Sequence, residues 1–239
     1  MTHHGYKIPV TGRFAVSIAA IAAPLLLLAF GVYGSFSFTF SIPLVWQIGI
    51  LGEGLRSLGL KRRSLWPSIT AGILTGLIIA FFGGFILRAL GMTCYHIDRA
   101  GEINNFLQSF GLRISFQGEL GFRLLTAGNE LIWVFSSLIF SIFLVGLGEE
   151  IFWRGFIQRK ISKALPKNAS IWITAVLFSL VHFYIFFIIP FKEGLFLLGL
   201  IALTGAIWGY LYEYFGNIWG PALSHGITAF LVWRYFVFS

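Results

Sequence analysis

Polar positions in this chain are gathered into short clusters, and the intervals between them are uncharged over lengths that suit a bilayer, about 17 to 25 residues each. No charged residue occurs from Phe14 to Gly52. That interval is too long for one span and divides around Gly31 to Phe36 into two, the second holding Pro43. Charge resumes at Glu53, Arg56, Lys61, Arg62 and Arg63, and a third span follows from about Trp66 to Leu87. Met92 to Gly128 is the one long polar interval; within it Ile103 to Phe110 has apolar residues at helical spacing, as in an interfacial helix. The fourth span, Leu131 to Gly148, runs through a doubled carboxylate to Lys163, with Pro166 as its stop. The fifth is Ala169 to Pro190, the sixth Leu195 to Tyr212 and the seventh Gly216 to about Trp233. The pattern predicts an all-α, polytopic transmembrane helical bundle of seven spans, or eight if the long polar interval holds another. Residues 1–239 read as a single membrane domain without internal repeats.

Composition agrees with this reading. Of 239 residues 57% are hydrophobic and 11% charged, and the mean hydropathy is +0.85, far from a soluble domain with a quarter of its residues charged. The net charge of +8 does not point to nucleic acid, because the basic residues fall in clusters between apolar runs rather than along one face. Topology accounts for them. Eleven Lys and Arg (Lys7, Arg13, Arg56, Lys61, Arg62, Arg63, Arg154, Arg159, Lys160, Lys163, Lys167) fall on the N-terminal side and six (Arg88, Arg99, Arg113, Arg123, Lys192, Arg234) on the other. The positive-inside rule then makes the N-terminus cytoplasmic, and the expected location is the cell membrane of a bacterium. One cysteine, Cys94, excludes an internal disulfide and a Cys-rich metal site. The apolar run from Phe14 lacks a cleavage site of small residues and is read as a retained helix.

Against this background Gly148-Glu149-Glu150-Ile151-Phe152-Trp153-Arg154 stands out. On a helix Glu150 and Arg154 share a face, whereas Glu149 is rotated by about 100° and can serve a different purpose. An ionisable group at membrane depth costs roughly 2.5 to 3.5 kcal/mol, so the cluster reads as a functional site. The competing reading is a charged helix end outside the bilayer, held by an i,i+4 pair. Depth separates the two. Glu150 lies thirteen residues before Lys163, and His182 thirteen residues after Ala169. Both are therefore roughly 20 Å from the basic end. His225 is nine residues into the seventh span, within about two turns of that level. Two Glu and two His converge at one depth.

Several intramembrane chemistries are excluded by residue type. The zinc motif His-Glu-x-x-His is absent, no Gly is followed two residues later by Ser, and the only Asp is Asp98. Glutamate as general base with histidine partners remains.

The motifs carry a family resemblance. Glu149-Glu150-x-x-x-Arg154, Phe178-Ser179-Leu180-Val181-His182, and Trp219-Gly220-Pro221-Ala222-Leu223-Ser224-His225, preceded by Gly205-x-x-x-Gly209-Tyr210-Leu211-Tyr212, resemble in order the motifs of the CAAX protease and bacteriocin-processing (CPBP) family. That family of intramembrane glutamic proteases includes the prenyl-protein CAAX endopeptidases. The resemblance covers residues 131–233, which it marks as a protease core. It implies that Glu149 activates water with help from His182, that Glu150 and Arg154 form a structural pair, and that His225 faces the developing oxyanion. It leaves open whether Glu149, His182 and His225 hold zinc or act without metal. The implied partners are the lipid bilayer and a membrane-anchored protein or peptide substrate. Where the family motif reads His-x-x-x-Asn, this chain has Ala229. Thr228, three residues after His225, is the nearest hydroxyl that could replace the missing donor. Two other readings remain: a non-catalytic relative that binds a membrane partner as an immunity or regulatory protein, and a small proton-coupled transporter, which the lack of an inverted repeat disfavours.

Overall fold

A computed structural model describes residues 44–50, 52, 54–89, 130–187 and 190–232. The first expected span and the long polar interval lie outside the described residues, as does most of the second span. Every element among the described residues is helical. We number the main helices α1 (Leu65–Ala89), α2 (130–161), α3 (Lys167–Leu180), α4 (Phe191–Phe215) and α5 (Trp219–Val232). Three of them are long and apolar enough to cross a membrane: Leu65–Ala89, Val134–Ile161 and Phe191–Phe215. In length and composition they are the helices of an integral membrane protein.

α1 reverses the distribution found in soluble helices. Its small residues, Gly72, Gly76, Ala80 and Gly84, recur every fourth position and are buried, whereas Leu74, Ile78, Phe81 and Phe85 are exposed. In lipid a large apolar side chain gains nothing by turning inward, and close backbone packing selects small ones. α5 lies on that small face. A methyl group on Gly72 would overlap the Gly220 backbone, and one on Gly76 would meet Ser224.

α2 is right-handed throughout but irregular in pitch. Wide i→i+5 turns at Ser141–Leu147 and Ile151–Gln158 flank the short α-helical segment Gly148–Glu150. Such turns are rare and concentrate at functional sites. The helix ends at Ile161, just before the expected Pro166 stop, and Pro166 then caps α3. α2 meets α5 backbone to backbone: Gly146 fits beneath Ala222, and a methyl on Gly226 would stand 2.5 Å from the Ile142 Cα.

The fifth expected span, Ala169 to Pro190, is not one helix. α3 stops at Leu180, a turn follows at Val181 and His182, and Phe183–Phe187 forms a 3-10 segment before Pro190 opens α4. Backbone that leaves the helix at membrane depth is tolerated only where it is buried or lines a cavity. α4 closes on Gly216, whose φ of 66° gives the left-handed cap that returns its N–H to Tyr212 O at 2.8 Å.

The basic end is tied together by side-chain hydrogen bonds. Ser68 donates to Asn217 at 2.8 Å, Asn217 to Arg63 O at 2.8 Å, and Trp219 Nε1 to Lys61 O at 3.1 Å. Arg159 donates to Ser57 O, and Leu58 is fully buried against Gly155. Arg154, which the sequence placed among the N-terminal-side basic residues, is not at the surface at all: its side chain is 0% exposed. Desolvation is offset there by partners, and these belong to the site.

Candidate active site

The four helices that carry the motifs meet around an aromatic cluster of Phe152, Trp153, Phe156, Phe178 and Trp208. Glu149 and Glu150 lie in the regular segment of α2, and both are buried. Arg154 Nη1 donates to Glu150 Oε1 at 2.8 Å and Nη2 donates to Gly205 O on α4 at 2.6 Å. Its guanidinium carbon also stands 5.3 Å from the Phe178 ring centre and 5.6 Å from that of Trp208. One planar cation thus holds α2 against α3 and α4 with charge-assisted bonds and aromatic faces.

His225 sits between the two carboxylates. Its Nδ1 is 3.0 Å from Glu150 Oε1, and its Nε2 is 4.0 Å from Glu149 Oε2. An ionised carboxylate can only accept, so Nδ1 carries the hydrogen and Nε2 is presented toward Glu149. Glu150 is therefore more than the partner of Arg154 that the motif suggested: it also anchors His225 at Nδ1.

His182 occupies the turn that ends α3. Its Nδ1 is 2.8 Å from Phe178 O, and a carbonyl likewise only accepts, so this ring donates at Nδ1 as well and a neutral form carries its lone pair on Nε2. The bond satisfies one of the carbonyls left over at the helix C-terminus. Phe178 links the two histidines, its ring centre lying 4.9 Å from that of His182 and 5.6 Å from that of His225.

The Thr228 hydroxyl donates to Gly76 O on α1 at 3.3 Å, a bond that joins two helices. Among the described residues no group of three or more His, Cys, Asp or Glu side chains is close enough together to hold a metal ion.

Trp208 was not singled out by sequence. It is buried, lies flat against His225 with ring centres 4.1 Å apart and planes 18° apart, and donates Nε1–H to Ser224 Oγ at 2.9 Å. Its only signal was its place inside Gly205-x-x-x-Gly209, where a tryptophan in an apolar run reads as lipid-facing.

Residues 131–231 match the family model described as Rce1-like, type II CAAX prenyl endopeptidase. The match spans all four motif-bearing helices. No curated protein and no solved structure matches the chain significantly.

Proposed function

We propose, from the match of residues 131–231 to the Rce1-like CAAX prenyl endopeptidase model, that this chain is an intramembrane endopeptidase in which Glu149 activates water to cleave a membrane-anchored protein or peptide. The observation that carries the reading is His225 held between Glu150 and Glu149, in a buried site ringed by the motif residues. Glu149 would take a proton from water, and the hydroxide would attack the scissile carbonyl. Glu149 would then return that proton to the leaving amine. His225, anchored at Nδ1, would direct a protonated Nε2 at the oxyanion, and His182 Nε2 would accept from the attacking water. The break after Leu180 supports a route for water, because polar backbone there needs a wet or protein-lined neighbour. Glu150 and Arg154 would supply the fixed charges around these groups without moving during the reaction. The basic end, with Lys61 and Lys163 exposed, would face the cytoplasm.

One observation favours the non-catalytic alternative. Ala229 offers no side-chain donor, and Thr228 bonds to Gly76, so His225 would be the one imidazole facing the oxyanion. The test is cleavage of a farnesylated peptide ending in a CAAX pattern by purified protein in liposomes, with Glu149→Gln as the comparison. Cleavage by the native protein and none by the variant supports the protease. Equal rates remove Glu149 as the base, and no cleavage by either leaves the binding protein as the better reading.

A further inference from the structure

Anchoring an imidazole at one nitrogen does not fix the direction of the other. The bond from His225 Nδ1 to Glu150 Oε1 holds one point of the ring, and the ring can still tilt about that contact. A tilt would swing Nε2 away from the Glu149 carboxylate 4.0 Å away. Whatever fixes the ring plane therefore fixes the aim of Nε2.

Two aromatic rings meet His225 from different directions. Phe178 stands at 89° to it, and Trp208 lies parallel at 18° with a separation of 4.1 Å. Only the parallel partner covers the imidazole face and so opposes tilting. Trp208 is itself restrained on two sides. Its Nε1–H is bonded to Ser224, the residue immediately before His225, and Phe178 packs against it at 75° with centres 5.8 Å apart. The indole thus takes its orientation from the helix that carries the histidine and gives it back to the histidine ring.

We infer that Trp208, locked by Ser224, is a positioning residue that sets the plane of His225 and so aims Nε2 at the reacting groups. The inference rests on the protease reading for its consequence in catalysis but not for its geometry. An electron-rich indole face at this distance also favours any positive charge that His225 acquires during turnover. A side chain that merely filled space would not need the parallel stack on His225.

Two measurements test this independently. The first uses full-length protein in micelles with isotope-labelled histidine rings, the His225 signal being assigned with His225→Gln. The expected signal is single and shifted upfield by the indole ring current. It should stay upfield in Trp208→Phe and move to an ordinary position, broadened by several orientations, in Trp208→Leu. An unchanged single signal in Trp208→Leu overturns the inference. The second measurement is turnover of the farnesylated peptide. Trp208→Leu should lower kcat by about 100-fold with KM within about twofold, as expected for a misaimed group, and Trp208→Phe should recover most of the loss. A raised KM with native kcat would make Trp208 a substrate-contacting wall and overturn the positioning role. If Trp208→Leu does not fold, Ser224→Ala serves instead. It strands the indole N–H, so the His225 signal should broaden, and adding Trp208→Phe, which removes that donor, should sharpen it again. No broadening in Ser224→Ala overturns the lock. If native protein cleaves nothing, the protease reading fails, and the resonance experiment still decides whether Trp208 holds the ring.

Discussion

The Arg154 guanidinium and the Gly205 carbonyl meet at 2.6 Å, joining a buried cation on one helix to the backbone of another. The same guanidinium pairs with Glu150. Arg154→Ala would leave that carboxylate buried without its cation, at a cost of about 3 to 5 kcal/mol. Arg154→Lys should recover little, because an ammonium lacks the planar fork that reaches both acceptors. Thermal unfolding in detergent checks both, and native stability in Arg154→Ala would show that the pair does not hold the bundle.

The two neighbouring glutamates should respond differently to loss of charge. Glu149→Gln is expected to fold normally and to lose cleavage, since the amide keeps the shape without the basicity. Glu150→Gln leaves Arg154 without its counter-charge and weakens the anchor of His225. It should therefore lower stability as well as turnover. Unfolding temperatures and peptide cleavage measured on the same preparations separate the roles.

Thr228→Val removes a hydroxyl that bonds α5 to Gly76 O. The expected result is a stability loss of about 0.5 to 1.5 kcal/mol with turnover nearly native. A fall in kcat of about 100-fold without loss of stability would instead return Thr228 to the oxyanion role. Ala229→Asn restores a donor one turn beyond His225 and should raise kcat.

Glycine contacts give a prediction independent of chemistry. Gly146→Ala places a methyl group on the Ala222 carbonyl, where backbone must move, so about 1 to 3 kcal/mol or more should be lost. Gly83 on α1 has open space where its Cβ would go, and Gly83→Ala should be neutral or stabilising by up to about 1 kcal/mol. Equal effects at the two positions would contradict the packing of α2 on α5.

Single-cysteine labelling in sealed cells, in a Cys94→Ser background, tests orientation. Positions 61 and 163 should be protected from an impermeant reagent added outside, and position 192, at the start of α4, should react. Equal reactivity at 61 and 192 would break the assignment of sides.

Much of the bundle was legible because charge is so costly in lipid that its absence marks out the helices. The bounds of α1 and the stop of α2 before Pro166 follow from that alone, and the common depth of Glu149, Glu150, His182 and His225 follows from helix rise. The end of α3 was not legible. Val181, His182 and Phe183 interrupt no apolar pattern and include neither Gly nor Pro, and the helix stops where the His182 side chain answers the Phe178 carbonyl. The wide turns of α2 leave no mark in composition either. The bond from the Thr228 hydroxyl to Gly76 O depends on the close approach of α1, which spacing along α5 does not show. Trp208 was missed because stacking on a histidine from another helix is a tertiary fact that an apolar run conceals.

The position of His225 along α5 is also a length. It lies six positions after Trp219, where the helix begins at the basic end, which corresponds to about 9 Å along the axis. An extended polypeptide covers that distance in about three residues. On the protease reading proposed above, a substrate entering from the basic side would reach His225 about three residues from its point of entry, and the helix would then act as a ruler for the cut.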